Sequence, residues 1–509
     1  MNTLTNEQKY VIDCLLKGNN VALLGSAGCG KSYLISTIYT EYPTIKKLYM
    51  ETQGSSLPKL PRIQLTALTG CASLLLGHKA KTLHSWAGVG LGKGTVQELF
   101  VKIRRNQKAM KNWLCTDLLV IDEISMMTGE LLDKLNQLGK KIRPLKDKPF
   151  GGIQVLLVGD FFQLPPVNKN KDEPMKFAFE SDAWNELFGM NNGVSKGVCI
   201  ELQQIQRQKD EVFQRVLKEA RVGDLSRESC HILRKCQGRK WQDNLIRPTL
   251  LFPRRAEVDM INDSNLRALE GRRYTYDVKL VYDGKVPIGF DIQDEAFKKA
   301  LELYDSEAGY QRRLELCKDA QVMLIANISP DEGLVNGSRG VVIDFCKATD
   351  LPIVQFLNGI KKTIGSHTWA IEDYEFVLRS QIPLKLAYSI TTHRIQGATL
   401  DSALVDIGSG IFEYGQAYVA LSRARSLEAL YVYDFEPTAF KAHPRVKEFY
   451  SKLKVVNIPD SDKNQEQKQD FIVDKMLELA NKSIPEDSKV INGSTSDIIR
   501  GIQVIKLEE

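Results

Sequence analysis

Eight residues of this chain have the types and spacing needed to hold a chain of phosphates. Gly25-Ser26-Ala27-Gly28-Cys29-Gly30-Lys31-Ser32 reads G-x-x-x-x-G-K-S. Its glycines let successive backbone N–H groups turn toward one anion, and a helix starting at its end adds a positive dipole terminus. In such a loop Lys31 reaches the β- and γ-phosphates, and the Ser32 hydroxyl holds Mg²⁺. A second group is acidic. Asp122-Glu123 closes the apolar run Leu118-Leu119-Val120-Ile121. Beside a phosphate loop, Asp122 is the natural partner for Mg²⁺ and Glu123 the natural base for an attacking water. Gln163 follows Gly159-Asp160-Phe161-Phe162 and precedes two prolines. A Gln there has the reach to sense a γ-phosphate or orient water.

These groups need a rigid frame. Val21-Ala22-Leu23-Leu24, the run ending at Asp122 and Val155-Leu156-Leu157-Val158 are apolar on both faces. Such strands belong inside a parallel α/β sheet, whose C-terminal edge is where ligands bind. Leu4 to Leu16 predicts a capped helix with Thr5 or Asn6 as N-cap and Val11, Ile12, Leu15 and Leu16 on one face. Gln8 is then either an exposed helical residue or an amide offered to the edge of adenine. Lys46 to Pro61 reads as a turn-rich loop. Arg62 to Ala67 is the next strand, followed by Thr69 and by Thr82-Leu83-His84-Ser85-Trp86. Hydroxyls and an imidazole at strand ends either donate to nucleic-acid phosphates or cap turns. Lys102, Arg104, Arg105, Lys108 and Lys111 form the solvated face of one basic helix.

Cys199 to Leu202 predicts the first strand of a second α/β lobe, continued by strands at 248–252 and 403–407. Short strands separated by Gly, Asn and Pro turns between about 321 and 356 predict a small all-β insert, preceded by a helical stretch from Lys298 to Cys317. Leu384 to Ile390 returns to the second lobe. The apolar helix from Gln416 ends in Arg423 and Arg425, which form either a rim salt bridge or a charge aimed across a cleft. Beyond Phe435 the pattern weakens. Residues 461–469 read as a polar linker, Ile472, Met476, Leu479 and Ala480 line one helix face, and 498–505 suggests a short strand.

Composition sets outer bounds. The chain has 509 residues, 43% hydrophobic and 26% charged, as in folded globular proteins of two to four domains. No apolar stretch has the length of a membrane span. The N-terminus has neither a secretory nor an Arg-rich transit pattern. Nine cysteines without a C-x-x-C pair imply reduced thiols. A net charge of +6 is compatible with nucleic acid without arguing for it.

Taken in order from Leu4 to Phe435, these motifs resemble the PIF-type DNA helicases of superfamily 1B, relatives of the RecD-like and Dda-like enzymes. The most specific stretch is Asp122-Glu123-Ile124-Ser125-Met126-Met127 with Gly129 to Leu135. The resemblance implies an α/β fold of two RecA-like lobes, with a small pin insert in lobe one and an SH3-like β insert in lobe two. The implied division is 1–198 for lobe one, with a pin at about 88–113; 199–280 with 381–440 for lobe two; 281–380 for the insert; and 441–509 as an extension without an assigned role.

It also implies roles. Gln8, residues Gly25 to Ser32 and Gly397 would bind ATP. Lys31, Glu123, Gln163, Arg207 and Arg423 would be catalytic, the two arginines reaching the γ-phosphate from lobe two. Ser32 and Asp122 would hold Mg²⁺. Thr66, Thr69, His84, Ser85, Phe161, Thr392, His393 and Arg394 would contact single-stranded DNA. Two residue choices depart from the family: Cys29 where Thr is commoner, and Arg394-Ile395 for Lys-Ser. The implied activity is 5′→3′ translocation on single-stranded DNA with duplex unwinding, in replication, repair, recombination or telomere maintenance. The implied partners are single strands and single-strand/duplex junctions, and the implied state is a monomer in nucleus or cytoplasm, virus-encoded origin included. The competing readings are an RNA-directed or polymer-independent ATPase and a DNA-binding scaffold without turnover.

Overall fold

The structure is a computed structural model. It describes residues 4–453, except 56–58, 91, 167–174, 192–193, 196, 242–246, 285, 288, 372–373, 398–399 and 401, together with 471–476.

The first lobe is built on six parallel strands in the order Lys81–Thr82, Ile63–Ala67, Leu118–Asp122, Gln154–Gly159, Asn20–Gly25 and Gly197–Leu202. Period-two alternation divides its apolar residues between two cores. Ala22, Leu24, Leu119, Ile121, Val155 and Leu157 face one core. Val21, Leu23, Leu118, Val120, Leu156 and Val158 face the other. Both faces are covered, which is why the central positions of the Asn20–Gly25, Leu118–Asp122 and Gln154–Gly159 strands are apolar throughout.

The second lobe has four parallel strands in the order Ser389–Thr391, Thr249–Phe252, Ala403–Ile407 and Leu430–Phe435. Between its strands lies an antiparallel five-stranded sheet of Lys361–Thr363, Pro352–Phe356, Arg339–Phe345, Gln321–Leu324 and Leu384–Leu386. A three-stranded sheet, Lys279–Tyr282, Tyr374–Gln381 and His367–Ile371, stands beside it.

Several boundaries differ from the sequence expectation. The strand containing Cys199 does not open lobe two; Gly197–Leu202 pairs in parallel with Asn20–Gly25 as the edge of the first sheet. Leu384 to Ile390 is not one strand. Leu384–Leu386 pairs with Gln321–Leu324 in the β insert, and only Ser389–Thr391 joins lobe two. The helix after the phosphate loop runs from Lys31 to Thr52 through Pro43, so the expected loop starts later. Tyr42 and Ile45, on either side of the proline, are buried, and the Tyr42 hydroxyl donates to Leu15 O at 2.9 Å. Packing has outweighed the missing N–H. The helix expected from Lys298 ends at Glu307, and Arg313–Leu316 is a strand. The basic helix is two, Val96–Arg105 and Gln107–Cys115, because Asn106 Oδ1 caps the second by accepting Ala109 N–H at 3.0 Å. Leu99, Ile103, Ala109 and Trp113 anchor this pair in the lobe-one core.

The chain returns to lobe one after Phe435. Helix Pro444–Lys452 packs there through Val446, Phe449 and Tyr450. Phe449 stacks on Phe179 at 4.3 Å and meets Phe161 edge-on at 5.5 Å, and Arg445 pairs with Glu180 at 2.7 Å. Residues 471–476 dock on the N-terminal helix Asn6–Leu16, whose Asp13 carboxylate accepts the N–H groups of Ile472 and Val473 at 2.9 Å each. Of the residues expected on one face there, Ile472 and Met476 pack at this place, while Leu479, Ala480, the linker 461–469 and the strand at 498–505 lie outside the described residues. No described helix is long and apolar enough to cross a membrane, and none of the nine cysteines is paired.

Candidate nucleotide site

Strand Asn20–Gly25 delivers the glycine loop to the C-terminal edge of its sheet, and helix Lys31–Thr52 leaves from it. Gly28 has φ +85°, and a Cβ there would lie 2.9 Å from the Cβ of Arg207. Only glycine meets both demands. Lys31 curls back over the loop, with Nζ donating to the carbonyls of Gly25 at 2.7 Å and Ser26 at 2.8 Å.

A cavity of about 300 Å³ opens beside Lys31 and Ser32. Lobe one also lines it with Asp122, Glu123 and Gln163, the segment joining the lobes with Arg207, and lobe two with Gly397 and Arg423. All five residues expected to be catalytic thus face one space. Asp122 ends its strand, and Glu123 begins a 3₁₀ turn with φ +57°, a left-handed backbone uncommon outside glycine. The Glu123 N–H donates to Asp122 Oδ1 at 2.8 Å. Burial, and then the neighbouring Glu123, raise the Asp122 pKa above the usual carboxylate range. The Gln163 side chain is 5% exposed, and its Oε1 has no hydrogen-bond partner among the described residues.

The arginines arrive from the other side. Arg423, 1% exposed, donates from Nε to Val419 O at 2.9 Å and from Nη2 to Ser422 Oγ at 2.8 Å. Burial first, then the positive charge of Arg207, push it down to about 10. Burial also lowers Arg207, whose Nη1 donates to Ser422 O at 3.4 Å. Two desolvated cations and Lys31 around one cavity make a site for an anion of high charge.

Gln8 lies behind the loop rather than among these lining residues. Its Oε1 accepts Thr5 N–H at 3.0 Å in a capping box, and its Nε2 donates to Gly30 O at 3.4 Å. Three of the expected DNA contacts are corrected by burial. Thr66 is 0% exposed, its hydroxyl donating to Val120 O at 2.7 Å. Thr392 is likewise buried and donates to Phe252 O at 3.3 Å. Phe161 is enclosed by Phe179, Trp184 and Phe449. Each is committed to the interior, so none offers its polar or aromatic group to a strand of DNA here. Thr69 caps Ala72 N–H at 3.2 Å, and His84 and Ser85 sit half-buried on the short helix Leu83–Ala87. The His393 ring lies parallel to Phe412 at 6.4 Å, and Phe412 is 57% exposed. The side chain of Arg394 lies outside the described residues.

Sequence reading assigned no role to five residues that meet at or beside this cleft. Gln396 donates from Nε2 to Glu123 Oε2 at 2.8 Å. Arg221 grips Asp160 through Nε at 3.1 Å and Nη2 at 2.9 Å, and reaches Glu201 through Nη1 at 2.8 Å. Its guanidinium carbon lies 4.7 Å from the ring centroid of Phe162 and 4.9 Å from that of Tyr450, beside the two rings, which stack on each other at 4.6 Å. The hydroxyls of Tyr418 and Tyr450 each stand 3.3 Å from the same carboxylate. Gly415, at φ +71°, lets helix Gln416–Leu421 start against lobe one, where a Cβ would meet Phe162 O at 2.4 Å.

Fold and site together define a two-lobed P-loop protein of the α/β class, with RecA-like lobes whose facing edges share one phosphate cavity. The sequence profile of the PIF1-like helicases matches residues 3–231, and that of the DNA helicase Pif1 2B domain matches 308–345. The human ATP-dependent DNA helicase PIF1 is 36% identical over 454 residues, covering 89% of this chain and 64% of that relative. The crystal structure of Pif1 helicase from Candida albicans superposes with a TM-score of 0.71 at 36% identity, covering 89% of this chain and 100% of that one. A Bacteroides Pif1 structure in complex with ADP-AlF3 and ssDNA superposes with a TM-score of 0.60 at 25% identity, over 89% of this chain and 97% of that one. The chain belongs to the PIF1-like helicase family. It spans just under two thirds of the length of the vertebrate relatives it matches.

Proposed function

We propose that this chain is an ATP-driven 5′→3′ translocase on single-stranded DNA that unwinds duplex at single-strand/duplex junctions. The carrying observation is that Lys31 and Glu123 of lobe one, Arg207 of the segment joining the lobes and Arg423 of lobe two line one cavity. Closing the lobes would complete the set around the γ-phosphate, so closure and nucleotide state become linked. The unpartnered Gln163 oxygen fits a bound nucleotide or the water beside it. Ser32 and Asp122 would hold Mg²⁺, which when bound supplies neutralisation of phosphate charge. Glu123 takes the proton of the attacking water, and the arginines stabilise charge on the transferred group, an effect of about 10³–10⁵ in rate. Gln8 would meet adenine only by surrendering its capping bonds. The helix pair after Gly88 serves as the pin, and the antiparallel sheets as the insert of lobe two. The name of the matching DNA helicase Pif1 2B domain and the ssDNA in the Bacteroides relative's complex support DNA as the track.

Grip on the backbone makes binding salt-sensitive: with roughly five phosphates neutralised, the log–log slope is about −3.5. The deciding experiment is unwinding of matched duplexes with a 5′ or a 3′ single-stranded tail, with Lys31→Ala as control. The 5′-tailed substrate should be unwound and Lys31→Ala should be inactive. Preference for the 3′ tail, or equal ATP turnover with DNA, RNA and no polymer, would overturn the proposal. Sedimentation of the active species checks the proposed monomer.

A further inference from the structure

The tip of the phosphate loop is held by groups that lie beyond its own lobe. Gly28 O accepts two backbone N–H groups from the segment joining the lobes, Gln206 at 2.8 Å and Arg207 at 3.0 Å. Next to it, Ala27 N–H donates to the hydroxyl of Tyr418 at 2.8 Å. Tyr418 belongs to lobe two and is 2% exposed. Its hydroxyl in turn donates to Asp160 Oδ2 at 3.3 Å, so both its donor and an acceptor site are in use. Asp160, 0% exposed, is fixed by the Arg221 guanidinium from lobe two and by the Tyr450 hydroxyl from the returning helix. A continuous path therefore runs from the loop amide through one hydroxyl to the ion pair that joins the lobes.

We infer that Tyr418 is a positioning residue for the phosphate loop: its hydroxyl ties the Ala27 N–H to the Asp160–Arg221 pair, so that a change in lobe position reaches the loop tip directly. The inference rests on the proposal that this chain is a DNA-translocating ATPase whose lobes close around the nucleotide. Tyr450 supplies a matched control. Its hydroxyl also meets Asp160, but its other partner is Phe161 N–H at 3.3 Å and not the loop.

The test compares Tyr418→Phe with Tyr450→Phe, each losing one hydroxyl from the same carboxylate. ATP turnover is measured with and without a saturating oligothymidylate, and amide exchange at Ala27 is followed in the chain alone. Tyr418→Phe should lower the ratio of DNA-stimulated to basal turnover by about tenfold, the size of one lost hydrogen bond, and speed exchange at Ala27 by a similar factor. Tyr450→Phe should leave both within about twofold. Equal loss of the ratio in the two variants, or unaltered exchange at Ala27 in Tyr418→Phe, would overturn the inference alone. Absence of stimulation by DNA in the unaltered chain would overturn the functional proposal and this inference with it.

Discussion

Gln396 of lobe two donates its side-chain N–H to Glu123 of lobe one at 2.8 Å, across the mouth of the phosphate cavity. The bond fixes the carboxylate proposed to activate water, and it joins residues of the two lobes. Hydrogen bonds to charged groups contribute about 1.5–3 kcal/mol, so Gln396→Ala should lower kcat for ATP by roughly ten- to a hundredfold. The KM for ATP should stay within about threefold, because no phosphate contact is removed. Steady-state turnover with saturating DNA checks this; a rise in KM at constant kcat would assign Gln396 to nucleotide binding instead.

Arg423 and Arg207 should not tolerate lysine. Lysine keeps the charge and loses the planar fork that holds several acceptors at once. Arg423→Lys also gives up the bonds to Val419 O and Ser422 Oγ. Each Lys variant should cost about 10³ in kcat while ADP binding changes far less. Although burial lowers the Arg423 pKa to about 10, that value lies well above neutrality. The charge is complete at physiological pH, and any inflection of the rate near pH 7 belongs to another group.

The Asp160–Arg221 pair is a stability element as well as a bridge. Burial alone would lower the Arg221 pKa, and the facing Asp160 carboxylate together with Tyr450 and Tyr418 turns the shift upward. Removing one member strands a buried charge, a loss of about 3–5 kcal/mol. Arg221→Ala should show that loss in denaturant unfolding. Adding Asp160→Asn should cost much less than the sum of the single changes, which a double-mutant cycle reads directly.

Thr66 separates an interior hydroxyl from a DNA-binding one. Thr66→Val removes only the bond to Val120 O, and the affinity for single-stranded DNA should stay within about twofold while stability falls by roughly 1 kcal/mol. Fluorescence anisotropy with a labelled oligonucleotide, run beside thermal unfolding, checks both. A tenfold loss of affinity would restore Thr66 to the DNA interface.

The chemistry was legible where it depended on local order. A strand apolar on both faces, followed by glycines or paired acids, reads the same way in the chain as in the fold, and the cavity holds Lys31, Asp122, Glu123 and Gln163 together. Long-range partners were not legible. Gly197–Leu202 has the composition of an inner or an edge strand of either lobe, and nothing within it names Asn20–Gly25 as its neighbour. Leu384 to Ile390 is a single apolar run in sequence, yet two sheets divide it. Nothing near Arg221 in the sequence names its partner, because Asp160 lies in the other lobe. The hydroxyl of Thr66 gives one signal whether it meets a phosphate or the next strand's carbonyl.

The path of the backbone has a mechanical consequence. After strand Gly197–Leu202 the chain crosses to lobe two, where helix Glu211–Val222 packs. After Leu430–Phe435 it crosses back and plants helix Pro444–Lys452 in lobe one. The second crossing is held where Gly415 N–H donates to Lys441 O at 2.9 Å. A door hung on two pins swings only about the line through them. With covalent connections at 203–210 and again at 436–443, the two lobes are tied at two places, which limits how far one can twist against the other.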